Sequence, residues 1–382
     1  MKNTVTFLII LVLLAIIGMV GYKVVIDKID NDGITDPQSN INNKEVNKLE
    51  TTEGLYIVPT MQDNLFADTI WCGTFQLVWN DMKNEVVGRD IVFDPQLEIV
   101  ENLNKEDFTT SMISEEYYYK KYGLKTLELK AEIEKGIKEK FDETSDILDD
   151  FDWSEDGLDD PNNPSIQRYF FYVMLKRSFE FLNEFNELEN GTFGSEYTGI
   201  KYFGIDSSSD EKLGKQIDVL YYNSEDDFAI ILNTKQGDEV ILVKNPKGNN
   251  FKEIYNNMLD GAKGYKGDRK FQDADRLKIP NIKLNEKKEY EELANKPFET
   301  DDPLCPVAVI IKAMQTIQFE LNKKGGEIKS EAAIDMMKNS AIMDEPEPRY
   351  FYVDDAFSIF LREKGKELPY FAGMITDITK FQ

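Results

Sequence analysis

The most apolar stretch of the chain lies at its beginning. Val5 to Val20 is almost entirely aliphatic, and extension to Ile26 makes the segment just long enough to cross a bilayer. Lys2 precedes it, and this charge bias favours an amino end on the cytoplasmic side. We therefore expect an uncleaved signal anchor, a transmembrane helix, over residues 1–26. The alternative is a cleaved signal peptide and a secreted protein.

A second change of polarity follows this segment. Residues 27–50 are rich in Asn and Asp and almost free of large apolar side chains, which is typical of a polar linker. Residues 51–382 then carry mixed apolar and polar patterns without a fixed repeat, and they predict one folded domain. If the first segment is an anchor or a signal peptide, this domain lies outside the cytoplasm.

Helical and strand-like periodicities alternate along the domain. The spacing predicts helices over Ile70–Lys83, Leu127–Asp149 and Phe251–Leu259, and Ile166–Asn186 fits either a helix or a strand. Short half-buried strands are expected at Gln216–Tyr222, Asp227–Asn233, Val240–Lys244, Leu277–Leu284, Ala313–Asn322, Tyr350–Val353, Phe357–Arg362 and Tyr370–Thr376. The pattern predicts an α+β fold with mixed, mostly antiparallel sheets and surrounding helices.

Composition excludes several classes of function. Of the 382 residues, 45 are Lys or Arg and 71 are Asp or Glu, which gives a net charge of −26 and argues against nucleic acid as a partner. There is no histidine, so histidine-based catalysis and histidine metal sites are absent. We expect no metal, no cofactor and no enzymatic activity. Of the two cysteines, Cys72 lies on an apolar stripe and is read as a core residue.

Three local patterns resemble catalytic or metal-binding motifs. Ser209 and Lys212 have the spacing of a serine acyl enzyme, but the partner motifs are missing. Asp152 begins half of a calcium loop that has Asn163 where a bidentate Glu is needed. The many acidic residues leave a carboxylate-based hydrolase open as a further class, although no pair is singled out.

The last eighty residues contain FELNKKGGEIKSEAA, then Asp355–Arg362, then Pro369–Ile375, in this order. This order resembles the serpins, with this chain as a divergent bacterial member. Members of that family end with a central strand, a glycine hinge, an exposed reactive loop and closing strands. Here FELNKKGGEIKSEAA is similar to the strand and hinge, Asp355–Arg362 to the first closing strand and Pro369–Ile375 to the second. Upstream, Leu213–Tyr222 and Leu277–Lys283 are similar to further strands of the family.

The resemblance implies a serpin-like fold with an exposed C-terminal reactive loop. It also implies inhibition of a protease, which cleaves this loop so that the loop enters the sheet as a strand. The residues implied for the hinge are Gly325, Gly326, Ser330, Ala332 and Ala333, and those for the candidate scissile region are Met337, Lys338, Asn339 and Ser340.

The pattern of the loop can be compared with what a buried strand requires. Gly326, Ile328, Ser330, Ala332, Ile334 and Met336 alternate with mostly charged residues, which fits a strand with one buried face. Spacings of four residues in the same segment also fit an amphipathic helix. We expect a membrane-tethered extracellular serpin-like protein that acts on an extracellular protease. The alternative is a non-inhibitory cell-surface binding protein with the same fold.

Overall fold

The computed structural model describes residues 52–143, 148–149, 151–153, 166–207, 211–301, 303, 306–326 and 347–382. The predicted anchor over 1–26 and the linker over 27–50 lie outside the described residues. Ser330, Ala332, Ala333 and residues 337–340 also lie outside them. Among the described residues, no helix is both long enough and apolar enough to cross a membrane.

Strands make up most of the regular structure. In chain order they are β1 (Leu55–Val58), β2 (Asp68–Cys72), β3 (Tyr118–Leu124), β4 (Ile166–Lys176), β5 (Asn186–Phe193), β6 (Tyr197–Ile205), β7 (Ile217–Ser224), β8 (Asp227–Asn233), β9 (Asp238–Lys244), β10 (Arg276–Pro280), β11 (Ile282–Glu289), β12 (Pro297–Glu299), β13 (Val307–Leu321), β14 (Tyr350–Tyr352), β15 (Phe357–Glu363) and β16 (Phe371–Ile375). The α-helices are α1 (Thr74–Asp81), α2 (Glu98–Asn104), α3 (Leu127–Phe141), α4 (Glu211–Gly214) and α5 (Phe251–Gly264). Single turns of other helix types are found at Met82–Val87, Thr110–Met112, Glu115–Tyr117, Glu291–Leu293 and Ile378–Phe381.

The strands form three sheets. One has seven strands in the order β1-β2-β16-β15-β9-β8-β7, and a second has four in the order β14-β10-β6-β5. The third has β11-β13-β4-β3, with β12 also paired to β13, and is called the five-stranded sheet below. The parallel pairs are β1/β2, β10/β14 and β4/β13, and the other pairs are antiparallel. Mixed, mostly antiparallel sheets with surrounding helices are confirmed.

The five-stranded sheet is covered on both faces at β4. Phe171 and Val173 pack with Phe75 and other residues of α1 on one face. Phe170, Tyr172 and Met174 pack on the other face with Leu129, Ile133 and Ile137 of α3. Because alternate side chains of a strand point to opposite faces, burial of both faces explains the unbroken apolar run of β4. The segment that fitted a helix or a strand is therefore a strand up to Lys176.

All three predicted helices differ from the observed ones at an end, and α5 continues beyond the predicted end at Leu259 to Gly264. Residues before Thr74 form β2 because they pair with β1 on one side and β16 on the other, and this pairing overrides their helical spacing. Helix α3 begins where the Thr126 side chain accepts a hydrogen bond from Leu129 N at 3.0 Å. It ends earlier than predicted because Asp142 adopts a left-handed conformation with φ 52°.

One predicted strand is in fact two. Residues 277–284 divide at Asn281, whose backbone N donates to Lys201 O at 2.9 Å. The part before Asn281 belongs to β10 in the four-stranded sheet, and the part after it belongs to β11 in the five-stranded sheet. Neither part alone shows this change of sheet in its polarity pattern.

Candidate functional site

The candidate site is the junction of β4 and β13 together with the chain that leaves β13. These two strands are parallel direct neighbours, from the pair Val307 and Ile166 to the pair Gln318 and Lys176. A strand placed between them would be antiparallel to both. Among the described strands, the β4–β13 junction is therefore the place in this sheet where a chain returning from β13 can be added as an internal antiparallel strand.

The chain leaving β13 turns back at once. Asn322 and Gly325 exchange two backbone hydrogen bonds of 2.9 and 3.0 Å, and the Asn322 side chain accepts from Lys324 N at 2.9 Å. Gly325 forms an antiparallel bridge to Asn322 on one side and another to Glu180 on the other side. Gly325 thus already lies between the extension of β13 and the extension of β4.

The close approach at this turn requires glycine. Gly325 has φ 128°, and a Cβ atom there would overlap Phe179 O and lie 2.9 Å from Glu180 Cα. A Cβ on Gly326 would lie 3.2 Å from the Phe179 ring. The structure places both predicted hinge glycines at the end of β13, while their role in loop movement stays a prediction.

The segment Phe179–Phe185, which we call the hinge latch, holds the turn in place. Phe181 N donates to Lys324 O and Phe185 N to Lys323 O, each at 2.9 Å. The Lys323 ammonium lies 3.2 Å from Glu184 and 3.4 Å from Glu187. The hydrogen bond to Glu184 raises the pKa of Lys323 above its ordinary value. The backbone contacts and the charges both oppose opening of the turn.

A buried ion pair, which the sequence did not reveal, lies beside the hinge latch. Arg177, one residue after β4, donates to both carboxylate oxygens of Asp238, and its Nε–Oδ1 distance is 3.1 Å. Tyr370 O–H donates to the same carboxylate at 3.0 Å, and the guanidinium lies over the Tyr117 ring at 3.1 Å. Burial raises the pKa of Asp238, and the bonds to Arg177 oppose that shift. An Arg–Asp pair separated by 61 positions carries no local signal in a sequence.

The residues considered for catalysis or metal binding do not form a site in the described part of the chain. Cys72 is fully buried with Sγ 3.2 Å from Thr74 Oγ1, and burial raises its pKa to about 11, as expected for an unreactive core thiol. Lys212 lies in α4, whereas Ser209 and Asn163 lie outside the described residues. Among the residues that the structure describes, no group of acidic or cysteine side chains could hold a metal ion.

Comparison with known proteins gives matches at the level of structure alone. No protein-family model and no curated protein matches the sequence. Serpin48 of the insect Tenebrio molitor is 13% identical, with coverage of 82% of this chain and 92% of that one and a TM-score of 0.43. Mouse protein Z-dependent protease inhibitor is 13% identical, with coverages of 82% and 92% and a TM-score of 0.45. The thermophilic serpin Tengpin is 13% identical, with coverages of 75% and 70% and a TM-score of 0.40.

At these identities and TM-scores the similarity concerns the fold alone. The order of elements that the resemblance predicts is nevertheless present in the described residues: the long central strand β13, the glycine turn at Gly325, and the closing strands β14, β15 and β16. Strands β15 and β16 pair with each other in the middle of the seven-stranded sheet. The prediction of a divergent serpin-fold protein is therefore confirmed at the level of the fold.

Proposed function

We propose that this protein is a serpin-like protease inhibitor that acts through cleavage of residues 327–346 and insertion of the cut segment between β4 and β13. The observation that carries the proposal is the double bridge of Gly325, to Asn322 and to Glu180. With these two bridges the first residue of an internal antiparallel strand is already in place. Only the residues after it have to follow.

The two bridges predict a single alignment for the inserted strand. Continued along β13, the bridge to Asn322 sets Lys329 opposite Gln318. Continued along β4, the bridge to Glu180 sets Lys329 opposite Lys176. Gln318 and Lys176 are themselves paired across the junction. The two alignments therefore agree, so the strand would enter without a register shift at this point.

This alignment also reproduces the predicted inward face. It sets Ser330 between Ile317 and Leu175, and Ala332 between Gln315 and Val173, all of them buried. Gly326, Ile328 and Ile334 would have the same orientation. Small and apolar side chains suit these buried positions, as the period-two patterning of the loop predicts.

A second candidate function is a binding protein with this fold and no loop insertion, and one observation favours it. The opposite face of β4 and β13 is covered by α3, which packs on Met174 and Met314. In the alignment above, Glu331 would lie beside Met174 and so beneath this cover. Burial of an unpaired carboxylate costs several kcal/mol, so α3 would have to move or insertion would fail.

The experiment that tests the proposal is loop cleavage of the full chain. A trypsin-like protease is expected to cut after Lys338 and to form a complex that survives denaturing gel electrophoresis. Cut protein should melt at a much higher temperature than uncut protein, because the cut segment becomes a buried strand of the five-stranded sheet. The emission of Trp153, whose ring lies 4.7 Å from that of Phe170 beneath α3, should change on insertion.

Two substitutions distinguish the candidates. Ser330→Arg places a cation on the inward face and should abolish the gain in melting temperature, whereas Glu331→Ala removes the carboxylate beneath α3 and should increase the rate of insertion. Because both lie in the uncut loop, the uncut variants should melt as wild type does. Equal gains in melting temperature for both variants and wild type would refute insertion and leave the binding protein.

We further propose that residues 1–26 anchor the protein in the membrane and that residues 27–50 connect the anchor to an extracellular domain. The aliphatic run, the single lysine before it and the polar composition after it support this topology. Protease added to intact cells should remove the domain and leave a short membrane-bound fragment. Recovery of the domain in the medium without added protease would indicate the secreted form, and full protection inside the cell would refute both.

A further inference from the structure

A cleft at the far end of β13 has no part in the proposed loop insertion. It lies between the loop Arg89–Asp94 and strand β12, and its volume is about 370 Å³. Phe93 and Phe298 form its floor, with ring centroids 5.7 Å apart and both side chains buried. Val307 also lines it. This size lies within the range of small-molecule sites, which hold an apolar group against such a floor.

The loop that forms one wall of the cleft is fixed by side-chain hydrogen bonds. Asn104 Nδ2 donates to Ile91 O at 2.7 Å, and Gln96 Oε1 accepts from Phe93 N at 2.9 Å. The Val92 side chain, by contrast, is 60% exposed at the mouth. A backbone held on both sides of an exposed valine indicates a preformed cleft that leaves apolar surface for a ligand.

The charged residues at the mouth of the cleft determine which ligand charge is favoured. Arg89 is neutralised by Glu299 at 3.1 Å and Asp301 at 3.3 Å. Asp90 is paired with Lys83 at 2.7 Å. No ion pair is found for Asp94 among the described residues, although Asp94 also lines the cleft. The mouth therefore keeps excess negative charge, in a protein whose net charge is −26.

We propose that this cleft binds a small organic cation with one apolar group, such as an arylalkylammonium. The aromatic or alkyl part packs on Phe93 and Phe298, and the ammonium faces the carboxylate of Asp94. A carboxylate or phosphate ligand is disfavoured because the Arg89 guanidinium at the mouth already has two acidic partners.

The test is calorimetric titration of three probes of similar shape into the full chain, purified without cationic or zwitterionic detergent. The probes are 2-phenylethylammonium, 2-phenylethanol and phenylacetate. We expect the ammonium to bind at least threefold more tightly than the neutral alcohol, and phenylacetate to bind more weakly than both. Equal affinities, or no binding of the ammonium up to 10 mM (on the order of the weakest useful affinities), would overturn the proposal.

Variants localise the site. Asp94→Asn should reduce the affinity for the ammonium threefold to tenfold and leave that for the alcohol unchanged. Glu189→Gln, an exposed change on β5 far along the chain, is the matched control and should change neither affinity. Val307→Asp should weaken binding of the alcohol, because it places a charge in the apolar part of the cleft. Circular dichroism of each variant verifies the fold, and an ammonium affinity insensitive to Asp94→Asn refutes the assignment.

Discussion

The centre of the seven-stranded sheet is fully buried, whereas the upper end of the five-stranded sheet has exposed residues such as Leu182 in the hinge latch, and the contacts that hold the two regions differ. Strands β8, β9 and β15 meet through apolar side chains such as Ile230, Leu242 and Phe360. The upper end of the five-stranded sheet joins the same apolar cluster through Phe179, Phe181 and Phe185 of the hinge latch, and it adds the Arg177–Asp238 ion pair and hydrogen bonds to a glycine turn. Apolar burial is non-directional, whereas hydrogen-bonded and ion-pair contacts require a particular geometry of donor and acceptor. The second region therefore carries the directional contacts that must break when the turn opens, whereas the first region, which we call the permanent core, does not.

The largest effect should come from the permanent core. Phe360→Ala removes a fully buried ring from the middle of the seven-stranded sheet and should lower the free energy of unfolding by about 3–5 kcal/mol. Chemical denaturation of the uncut chain measures this. The loss should be the same in the loop-cut protein, because this sheet takes no part in insertion. A loss confined to one of the two forms would contradict the separation of the two regions.

Removal of one partner of the ion pair beside the hinge latch should lower the free energy of unfolding by about 3 kcal/mol. Arg177→Met leaves the Asp238 carboxylate buried with Tyr370 as its remaining donor. The double variant Arg177→Met with Asp238→Asn removes the stranded charge and should recover at least half of the loss. Denaturation midpoints of wild type, both single variants and the double variant complete the cycle. Additive losses would show that the two side chains act independently.

These two regions were not equally predictable from sequence. The closing strands β15 and β16 and strand β8 were predicted almost residue for residue, because each is a short apolar run bounded by turn residues. The position of the glycine turn was also predicted, because the resemblance to the serpins implied a hinge at Gly325 and Gly326. Arg177, Asp238 and the hinge latch were missed because their meaning depends on contacts between distant strands. The division at Asn281 and the strand at β2 were missed for the same reason.

The next largest loss of stability is expected at Gly325, and Gly237 provides the comparison because it also has a positive φ. Gly325→Ala should destabilise the uncut chain by about 1–3 kcal/mol, because a Cβ would both strain the backbone at φ 128° and meet the backbone of the hinge latch. Gly237→Ala, in the turn between β8 and β9 at φ 84°, has open space around the Cβ and should cost only about 1 kcal/mol. Thermal melts of both variants give the comparison. An equal cost at both positions would mean that the close approach at the hinge contributes nothing.

The smallest effect concerns the charge that fastens the turn to the hinge latch. Lys323→Met should cost about 0.2–1 kcal/mol, because its pairs with Glu184 and Glu187 are partly exposed and screened by water and salt. The folded-state pKa of Lys323 is raised, so its contribution is fully present below the ordinary lysine pKa of 10.5 and is lost as pH rises through the folded value. The difference in the free energy of unfolding between wild type and variant should thus be constant near neutral pH, decrease above pH 10.5, and shrink in high salt.

Lys263→Met, which removes an exposed pair with Asp260 on α5, is the control for general charge effects. If both variants change the rate of loop insertion equally, the Lys323 pairs do not restrain the hinge; a faster rate for Lys323→Met alone is the expected result.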